Sequence, residues 1–279
     1  MRLHVGCAMW AHPAWQETSA RQRLRSYATW CNAVEGNTTF YATPSRQTAQ
    51  SWAEQLTGAK EFRFLPKLPK TVTHDQGLRG ESAGLRAFLS ALEPLEPHTH
   101  ALWIQLSAAF GPTDLGALAG FLRALPRSYR YAVEVRHQDF FHDERRASDL
   151  ERVLARVGAE WVPFDTTTLF GARPTSAAER EAWTKKPRVP RRMRALTEFP
   201  IVRYHGRDDE QRTVEGWQPW VAASAEWLRE GRSPTVFVHT PDNASSLRLA
   251  RRFHDEVRAS VHELEHLPQP EHTEPMTLF

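Results

Sequence analysis

Short apolar runs alternate with amphipathic stretches along most of the chain, and this alternation predicts strands followed by helices. The apolar runs are rich in β-branched and aromatic residues, which is typical of strands, and they occupy residues 3–9, 33–40, 62–68, 99–106, 129–137, 160–166, 200–206 and 234–240. Apolar positions at helical spacing predict helices over residues 19–31, 46–56, 85–92, 113–125, 147–157, 220–229 and 244–257.

Eight predicted strands, separated mostly by helical patterns, predict an α/β protein with the (β/α)8 TIM-like barrel fold in a single domain. An open doubly wound sheet is the alternative, and its dinucleotide-binding form is disfavoured because no GxGxxG motif follows the first strand. We expect the barrel to span residues 1–262. The polar, proline-rich residues 263–279 predict a flexible C-terminal tail.

Composition fits this picture and adds a mild positive charge. The 279 residues suit one barrel, and a net charge of +3 permits an anionic ligand without requiring one. Cys7 and Cys31 lack CxxC or zinc-type spacing, so we expect reduced, buried thiols in a cytoplasmic protein. Residues 1–5 begin no long apolar region and no run could span a bilayer, so neither a secretory signal nor membrane association is expected.

Polar side chains recur where the predicted strands end. The carboxyl ends of barrel strands form the active face, and unpaired charge inside a packed core is costly, so we expect these groups to share one rim. Glu134 and Arg136, like Arg203 and His205, stand two residues apart and would point to the same side. The candidate catalytic residues are Glu35, Lys67, Glu134, Arg136, Asp165 and His205, and the candidate substrate-binding residues are Trp10, Asn37, Tyr41, Lys70, His74, Gln105, Arg203 and His239.

Each of these residues also has a structural explanation. Glu134 and Arg136 could be an ion pair that stabilises the barrel, and His205 could be a hydrogen-bonded core histidine. Gln105 is better explained as a positioning residue than as a chemical group. Function is favoured because nearly every predicted strand ends in this way.

Six stretches carry a resemblance to a known family: VGCAMW (5–10), VEGNTTFY (34–41), PKLPKTVTHD (66–75), LWIQLSAAFGP (102–112), YAVEVRHQDFF (131–141) and VRYHGR (202–207). Together they resemble DUF72, the YecE-like family of (β/α) barrels, over about residues 1–260. The chain departs from the family pattern at its opening, at Gly36 and at His239 with Thr240. The resemblance implies a barrel with a polar rim and no established reaction. Its similarity to the endonuclease IV and xylose isomerase barrels suggests phosphodiester or sugar chemistry by analogy.

Two further segments point toward nucleic acid. The last five residues resemble the sliding-clamp-binding pentapeptide without its leading Gln, which suggests a clamp partner bound through Met276, Leu278 and Phe279, or else an accidental apolar terminus. Six cations lie between Lys185 and Arg194 with no acid among them. They could hold phosphates beside Trp183, or they could form a solvated face.

Three functions stay open from the sequence. The first is a hydrolase or nuclease acting on nucleic acid or another phosphate-containing substrate, with carboxylates as general base or metal ligands and His205 as acid. A divalent metal is compatible with this function, but no HExxH-type signature identifies one. The second is a sugar or small-molecule isomerase or lyase, with Trp10 and Tyr41 stacking on a ring. The third is a non-catalytic adaptor that binds nucleic acid.

Overall fold

The protein has an α/β fold built from parallel strands flanked by helices, and its computed structural model describes residues 1–13, 19, 21–79 and 83–268. The strands are β1 (His4–Cys7), β2 (Ala33–Gly36), β3 (Arg63–Pro66), β4 (Leu102–Gln105), β5 (Tyr131–Glu134), β6 (Glu160–Trp161), β7 (Phe164–Asp165), β8 (Ile201–His205) and β9 (Thr235–His239). The helices are α1 (Arg23–Ala28), α2 (Thr38–Tyr41), α3 (Arg46–Gln55), α4 (Ala83–Leu92), α5 (Leu115–Ala124), α6 (Asp139–His142), α7 (Glu144–Ala155), α8 (Thr167–Phe170), α9 (Ala177–Lys185), α10 (Glu210–Arg229) and α11 (Ser246–Ser260).

The strands form two parallel sheets rather than the single closed sheet that the sequence predicted. The larger sheet has the order β3-β2-β1-β9-β8-β7 and the smaller has the order β4-β5-β6. The predicted strand over residues 160–166 is divided, so that β6 pairs with β5 and β7 pairs with β8. The division falls at Pro163, which has no N–H to donate to a ladder. Between β3 and β4, two isolated bridges join Phe64 to Thr99 and Lys67 to Trp103.

Two apolar layers follow from the alternation of side chains along the strands. An inner cluster combines residues from both sheets and consists of Ala33, Leu65, Ala101, Trp103, Ala132, Val162, Ile201 and Phe237. A larger outer cluster lies between the strands and the helices. In α11, for example, Leu249, Phe253 and Val257 recur every four residues and are completely buried, which fixes this helix against the sheet.

The second strand ends earlier than predicted, and the change shapes the site. The strand stops at Gly36, and Thr38–Tyr41 forms the helical turn α2. The hydroxyl of Thr39 contacts the carbonyl oxygens of Gly36 at 2.9 Å and Lys67 at 2.7 Å, which holds the turn against the end of β3. A Cβ atom at position 36 would lie 2.8 Å from the Phe64 ring, so only glycine fits this close approach.

Helix α10 begins ten residues before the predicted helix over residues 220–229. Pro219 lies inside it and argues against a helix at the sequence level, because proline interrupts the helical hydrogen bonds. Asp209 caps the helix by accepting a hydrogen bond from the Arg212 N–H at 3.0 Å. The side chains of Val214 and Trp217 are buried and pack the first turns of the helix against the protein. This packing and the cap at Asp209 outweigh the cost of the proline.

The packed part of the chain extends beyond residue 262, where the flexible tail was predicted to start. Leu264 and Leu267 are buried, and Arg251 donates a hydrogen bond to the Pro268 carbonyl at 2.9 Å. The described part of the predicted tail, residues 263–268, is therefore packed against the protein. The suggested clamp-binding residues Met276, Leu278 and Phe279 lie outside the described residues.

No helix among the described residues combines the length and the apolar character needed to cross a bilayer.

Candidate functional site

Arg203 lies at the centre of a buried ionic network formed where several strands end. Its Nη2 lies 2.9 Å from Glu35 Oε1, its Nε donates to Glu35 Oε2 at 3.1 Å, and its Nη1 lies 3.3 Å from Glu134 Oε2. The guanidinium lies 4.3 Å from the centre of the Phe164 ring. Strands β2, β5, β7 and β8 thus meet around one buried cation, with carboxylates from β2 and β5 and an aromatic ring from β7.

Lys67 extends the network toward β3 and β4. Its Nζ lies 2.5 Å from Glu35 Oε1, donates to Gln105 Oε1 at 2.7 Å and lies 4.8 Å from the Trp103 ring centre. Burial, together with the nearby Arg203 charge, lowers the pKa of Lys67 to about 8, against the attraction of the carboxylates. Lys67 is thus protonated at neutral pH and can titrate only slightly above it.

Glu134 joins Arg203 to Arg136. Arg136 donates to Glu134 Oε1 through Nε at 2.8 Å and contacts it through Nη2 at 2.6 Å. Burial would raise the pKa of Glu134, but Arg136, Arg203 and Lys67 outweigh it and hold that pKa below its ordinary value. Glu35 behaves likewise: burial opposes ionisation, yet the nearby cations hold its pKa well below the usual range. Both carboxylates are therefore ionised and occupied by cations.

Two neutral histidines complete the network. His239 Nε2 lies 2.9 Å from Glu35 Oε2, and the rings of His205 and His239 stack with centres 5.8 Å apart. Burial lowers the pKa of His239 to about 4 and that of His205 well below its ordinary value. His205 therefore lacks the proton that a general acid would donate at neutral pH, which disagrees with the acid role suggested for it.

An open cleft of about 540 Å³ lies above this network. The predicted site residues that line it are Trp10, Asn37, Tyr41, Gln105, Arg136 and Arg203. The Asn37 amide donates to the Ala8 carbonyl at 2.9 Å, which fixes turn α2 beside the loop after β1. The other charged or titratable members of the network do not line the cleft and are buried behind it: Glu35, Lys67, Glu134, His205 and His239.

Lys186 also lines the cleft, although the sequence singled it out only as part of the basic stretch. It is half-buried, and among the described residues no carboxylate forms an ion pair with its amine. Burial, reinforced by Arg203, lowers the pKa of Lys186 to about 8. The signal in the sequence is its place before Pro187, because a residue before proline is forced out of the helical region. Helix α9 ends at Lys185 for this reason.

The charges around the cleft do not balance. The cations are Lys67, Arg136, Lys186 and Arg203, and the anions are Glu35 and Glu134, so four positive charges against two negative ones leave an excess of two. The carboxylates offset part of the cost of burying the cations without cancelling their charge. The cleft is therefore suited to an anionic ligand.

Asp165, a predicted catalytic residue, is not among the residues that line the cleft. Its carboxylate accepts hydrogen bonds from Arg191 Nε at 2.6 Å, from the Trp220 indole at 2.6 Å and from the Thr167 N–H at 2.9 Å. Because successive strand residues point to opposite faces, Phe164 faces Arg203 and Asp165 faces helix α10. Asp165 anchors the outer layer.

Lys70 and His74 are not among the residues that line the cleft, although His74 contacts Phe40, which does line it. Both belong to the tight turn after β3, where Lys70 is exposed and its Nζ lies 3.8 Å from Asp75. His74 Nδ1 lies 2.9 Å from the Thr73 hydroxyl, and its ring packs edge-on against Phe40 at 5.1 Å. These contacts position the turn, and the substrate-binding role predicted for the two residues stays a prediction.

The basic stretch between Lys185 and Arg194 is folded back onto the protein. Arg191 is paired with Asp165, and both Arg192 and Arg194 contact Glu151. Lys185 is paired with Glu181 on its own helix. Four of the six cations therefore have carboxylate partners, and the stretch does not present the continuous phosphate-binding surface that the sequence suggested.

In the described part of the chain, no group of three or more His, Cys, Asp or Glu side chains is arranged to hold a metal ion. The sequence left the metal unidentified, and we assign no metal ligands.

Comparison with known proteins gives one family. A family model with the description "Protein of unknown function DUF72" matches residues 4–274. The UPF0759 protein YecE of Escherichia coli O157:H7 is 36% identical over 266 residues, which cover 95% of this chain and 96% of the relative, and YecE of strain K12 gives the same values.

Solved structures show the same fold. A crystal structure of a DUF72 family protein from Enterococcus faecalis V583 matches with a TM-score of 0.66 and 17% identity, covering 91% of this chain and 98% of that one. A second crystal structure of a DUF72 family protein from this source matches with a TM-score of 0.63 and covers 98% and 100% of the two chains. At this identity the likeness concerns the fold alone.

Proposed function

The chain belongs to the DUF72 family, as its motifs indicated, and from this premise we propose that it is an enzyme acting on a small phosphate-containing substrate in the cleft. One observation carries the proposal. Two guanidinium groups, those of Arg136 and Arg203, are held in place by buried carboxylates and face the same open cleft.

Oriented guanidinium groups are well suited to phosphate. A planar guanidinium can donate two parallel hydrogen bonds to phosphate oxygens, and the bonds are stronger when the group is already oriented. Arg136 uses Nε and Nη2 for Glu134, and the contacts among the described residues leave its Nη1 protons for a ligand. We therefore assign phosphate contact to Arg136 and Arg203, and positioning roles to Glu35 and Glu134.

The size and walls of the cleft favour a substrate with a ring. A cleft of about 540 Å³ lies within the range that holds small molecules, roughly 300–1,000 Å³. Trp10 packs at 5.3 Å against Trp52 and presents a fixed aromatic wall, whereas Tyr41 is 80% exposed at the mouth. A base or sugar ring could stack there, which suits a nucleotide or a sugar phosphate.

Lys186 supplies the titratable group of the proposed site. Among the side chains that line the cleft, its amine combines access with a pKa near the working pH, which is what proton transfer requires. This favours the isomerase or lyase class within the proposal, because an amine can also react with a carbonyl group. Hydrolysis of a phosphate ester remains the other reaction class.

A nuclease is the second candidate, and exposed Tyr41 favours it because an aromatic ring at the mouth could stack a base of a longer strand. The basic stretch gives this candidate less support than the sequence suggested, since most of its cations are paired. A non-catalytic adaptor would use the same contacts without turnover.

The test of the proposal is binding of inorganic phosphate, a nucleotide panel and sugar phosphates by isothermal titration calorimetry, followed by turnover assays on any binder. We expect Arg136→Gln to weaken binding about tenfold or more, as expected for losing one charge-assisted contact. Arg188→Gln is the matched control, because Arg188 is an exposed arginine that lies over the Phe170 ring at 4.7 Å. Absence of binding at low salt, or equal losses in the two variants, would reject the proposal.

We also propose that the two sheets act as one barrel, with the cleft at the carboxyl ends of its strands. Support comes from hydrogen bonds at both junctions: Val162 N–H to Val133 O at 2.9 Å, Arg203 N–H to Pro163 O at 3.0 Å, and Leu68 N–H to Trp103 O at 2.9 Å. Amide hydrogen exchange tests this. Exchange at Leu68 and Val162 as slow as in the β8–β9 ladder would support a closed barrel, and fast exchange at either would reject it.

A further inference from the structure

The backbone is fixed by hydrogen bonds on both sides of Lys186, at the point where this residue lines the cleft. The Lys186 N–H donates to the Ala182 carbonyl at 2.9 Å, which ties it to the last turn of α9. The residue itself is extended, with φ −93° and ψ 143°, as its place before Pro187 requires. The Pro187 carbonyl then accepts a hydrogen bond from the Thr166 hydroxyl at 2.9 Å. The backbone of Lys186 therefore has little freedom, and its side chain starts from a fixed position beside the cleft.

The surroundings of Lys186 differ from those of the other two lysines at the site. The Lys67 amine is 1% exposed and already bound by Glu35 and Gln105, so a substrate cannot reach it. Lys185 lies at the cleft mouth, but its amine is exposed and paired with Glu181. Lys186 alone of these three combines access to the cleft with an amine that, among the described residues, has no carboxylate partner.

Burial, reinforced by neighbouring positive charge, lowers the pKa of this amine and so makes it a better nucleophile at neutral pH. The guanidinium groups of Arg136 and Arg203 share the cleft with Lys186 and disfavour a third positive charge there. With a pKa of about 8, the Lys186 amine is mostly protonated at neutral pH but has a small neutral fraction, and that fraction lies close to two phosphate-binding groups. Lysine needs this arrangement for covalent chemistry with a carbonyl compound.

We infer that Lys186 forms an imine with a phosphate-bearing aldehyde or ketone whose phosphate is held by Arg136 and Arg203. This inference rests on the proposed function and names its substrate class. The neutral Nζ attacks the carbonyl carbon and forms the C–N bond of a carbinolamine. The C–O bond then breaks as the C=N bond forms, and the oxygen leaves as water with the two protons that the amine nitrogen gives up. No oxidant or reductant takes part in the step.

Reductive trapping tests the inference. The full chain is incubated with D-glyceraldehyde 3-phosphate and sodium cyanoborohydride, which reduces an imine to a stable secondary amine, and the modified lysines are found by peptide mass spectrometry. We expect Lys186 to be labelled about tenfold faster than Lys185, because binding raises the local concentration of the aldehyde. The labelling rate should rise with pH through about 8, where the Lys186 amine loses its proton.

Two controls separate this inference from the proposed phosphate site. Unphosphorylated D-glyceraldehyde should lose the preference for Lys186, and inorganic phosphate should suppress labelling by the phosphorylated aldehyde. Lys186→Arg keeps the positive charge but cannot form an imine, so it should still bind the phosphate compound without the adduct.

The outcomes that overturn the inference are distinct. Binding of the phosphorylated aldehyde with equal labelling of Lys185 and Lys186 would reject the imine and leave the phosphate site intact. Preferential labelling of Lys186 by both aldehydes, without competition by phosphate, would reject the phosphate site and the phosphate part of the inference together.

Discussion

The two ends of the strands each contain a buried arginine, and the two arginines have different partners. Arg203, near the carboxyl ends, contacts the carboxylates of Glu35 and Glu134. Arg63, at the start of β3, donates to the Ser233 carbonyl at 2.9 Å and to the Thr235 hydroxyl at 2.7 Å. Its guanidinium lies 5.8 Å from the centre of the Phe199 ring. One arginine has charged partners and the other has neutral ones.

This difference in partners distinguishes the cleft at Arg203, where we propose binding, from the structural contact that Arg63 makes between strands. Burial lowers the pKa of Arg63 to about 9, whereas the carboxylates beside Arg203 outweigh its burial and raise its pKa. Arg203 also reaches an open cleft with excess positive charge, but the bonds from Arg63 join the start of β3 to the start of β9. Buried charge alone therefore does not identify a functional site in this fold. Access and an unbalanced charge are what distinguish the cleft.

The largest expected loss of stability follows from removing a carboxylate that contacts Arg203. Glu35→Gln leaves Lys67 and Arg203 buried with less negative charge, and breaking a buried ion pair costs about 3–5 kcal/mol. We expect the free energy of unfolding in urea to fall by this amount. Glu181→Gln is the control, since it removes the exposed partner of Lys185. A stability close to wild type would mean that Lys67 loses its proton in the variant and that the carboxylate is not needed for folding.

A smaller loss is expected at the other end of the strands. Arg63→Met keeps the bulk of the side chain but removes its hydrogen bonds to Ser233 and Thr235, and bonds to a charged group contribute about 1.5–3 kcal/mol. Urea unfolding should show this loss, whereas phosphate binding by calorimetry should be unchanged. Weaker phosphate binding in Arg63→Met would break the comparison, because it would make both arginines part of one functional unit.

The rule of alternation along strands explains which site residues the sequence could predict. Glu134 with Arg136 and Arg203 with His205 were identified by their two-residue spacing, and the structure places each pair around the same network. Asp165 was misplaced because only its position at a strand end was considered. Because Asp165 directly follows Phe164 in the strand, its side chain points to the opposite, outer face. The alternation of side chains along this strand could have been read from the sequence. The early end of β2 could not, because it depends on the close approach of Gly36 to Phe64.

Lys186 shows the limit of sequence reasoning about this site. Six cations between Lys185 and Arg194 look alike in sequence, yet their environments range from the paired Arg191 to the cleft-facing Lys186. What separates them is contact with residues far away in the chain, such as Asp165 and Glu151. Local patterns carry no information about such contacts, so the six cations were interpreted as one unit, either a phosphate-binding surface or a solvated face.

Acidification should lower the free energy of unfolding through two buried histidines near Arg63. Burial lowers the pKa values of His4 and His100 to about 2, while the unfolded chain takes up these protons near pH 6.5. As the pH falls below 6.5 the unfolded state is therefore favoured, and each histidine should cost about 1 kcal/mol between pH 6.5 and 5.5. Urea unfolding across this range measures the slope, and His100→Phe should remove about half of this contribution. An unchanged slope in the variant would show that other groups control the acid sensitivity.

The smallest expected effect on stability is at the cleft mouth, where Tyr41 is exposed and Trp10 is packed against Trp52. Tyr41→Ala should leave the free energy of unfolding nearly unchanged, because little of its surface is buried. It should nevertheless weaken nucleotide binding about fivefold, as expected for the loss of one stacking contact, without changing the affinity for inorganic phosphate. Calorimetry with both ligands makes the distinction. Equal losses for the two ligands would mean that Tyr41 acts through the shape of turn α2, and no loss for either would limit recognition to the phosphate group held by Arg136 and Arg203.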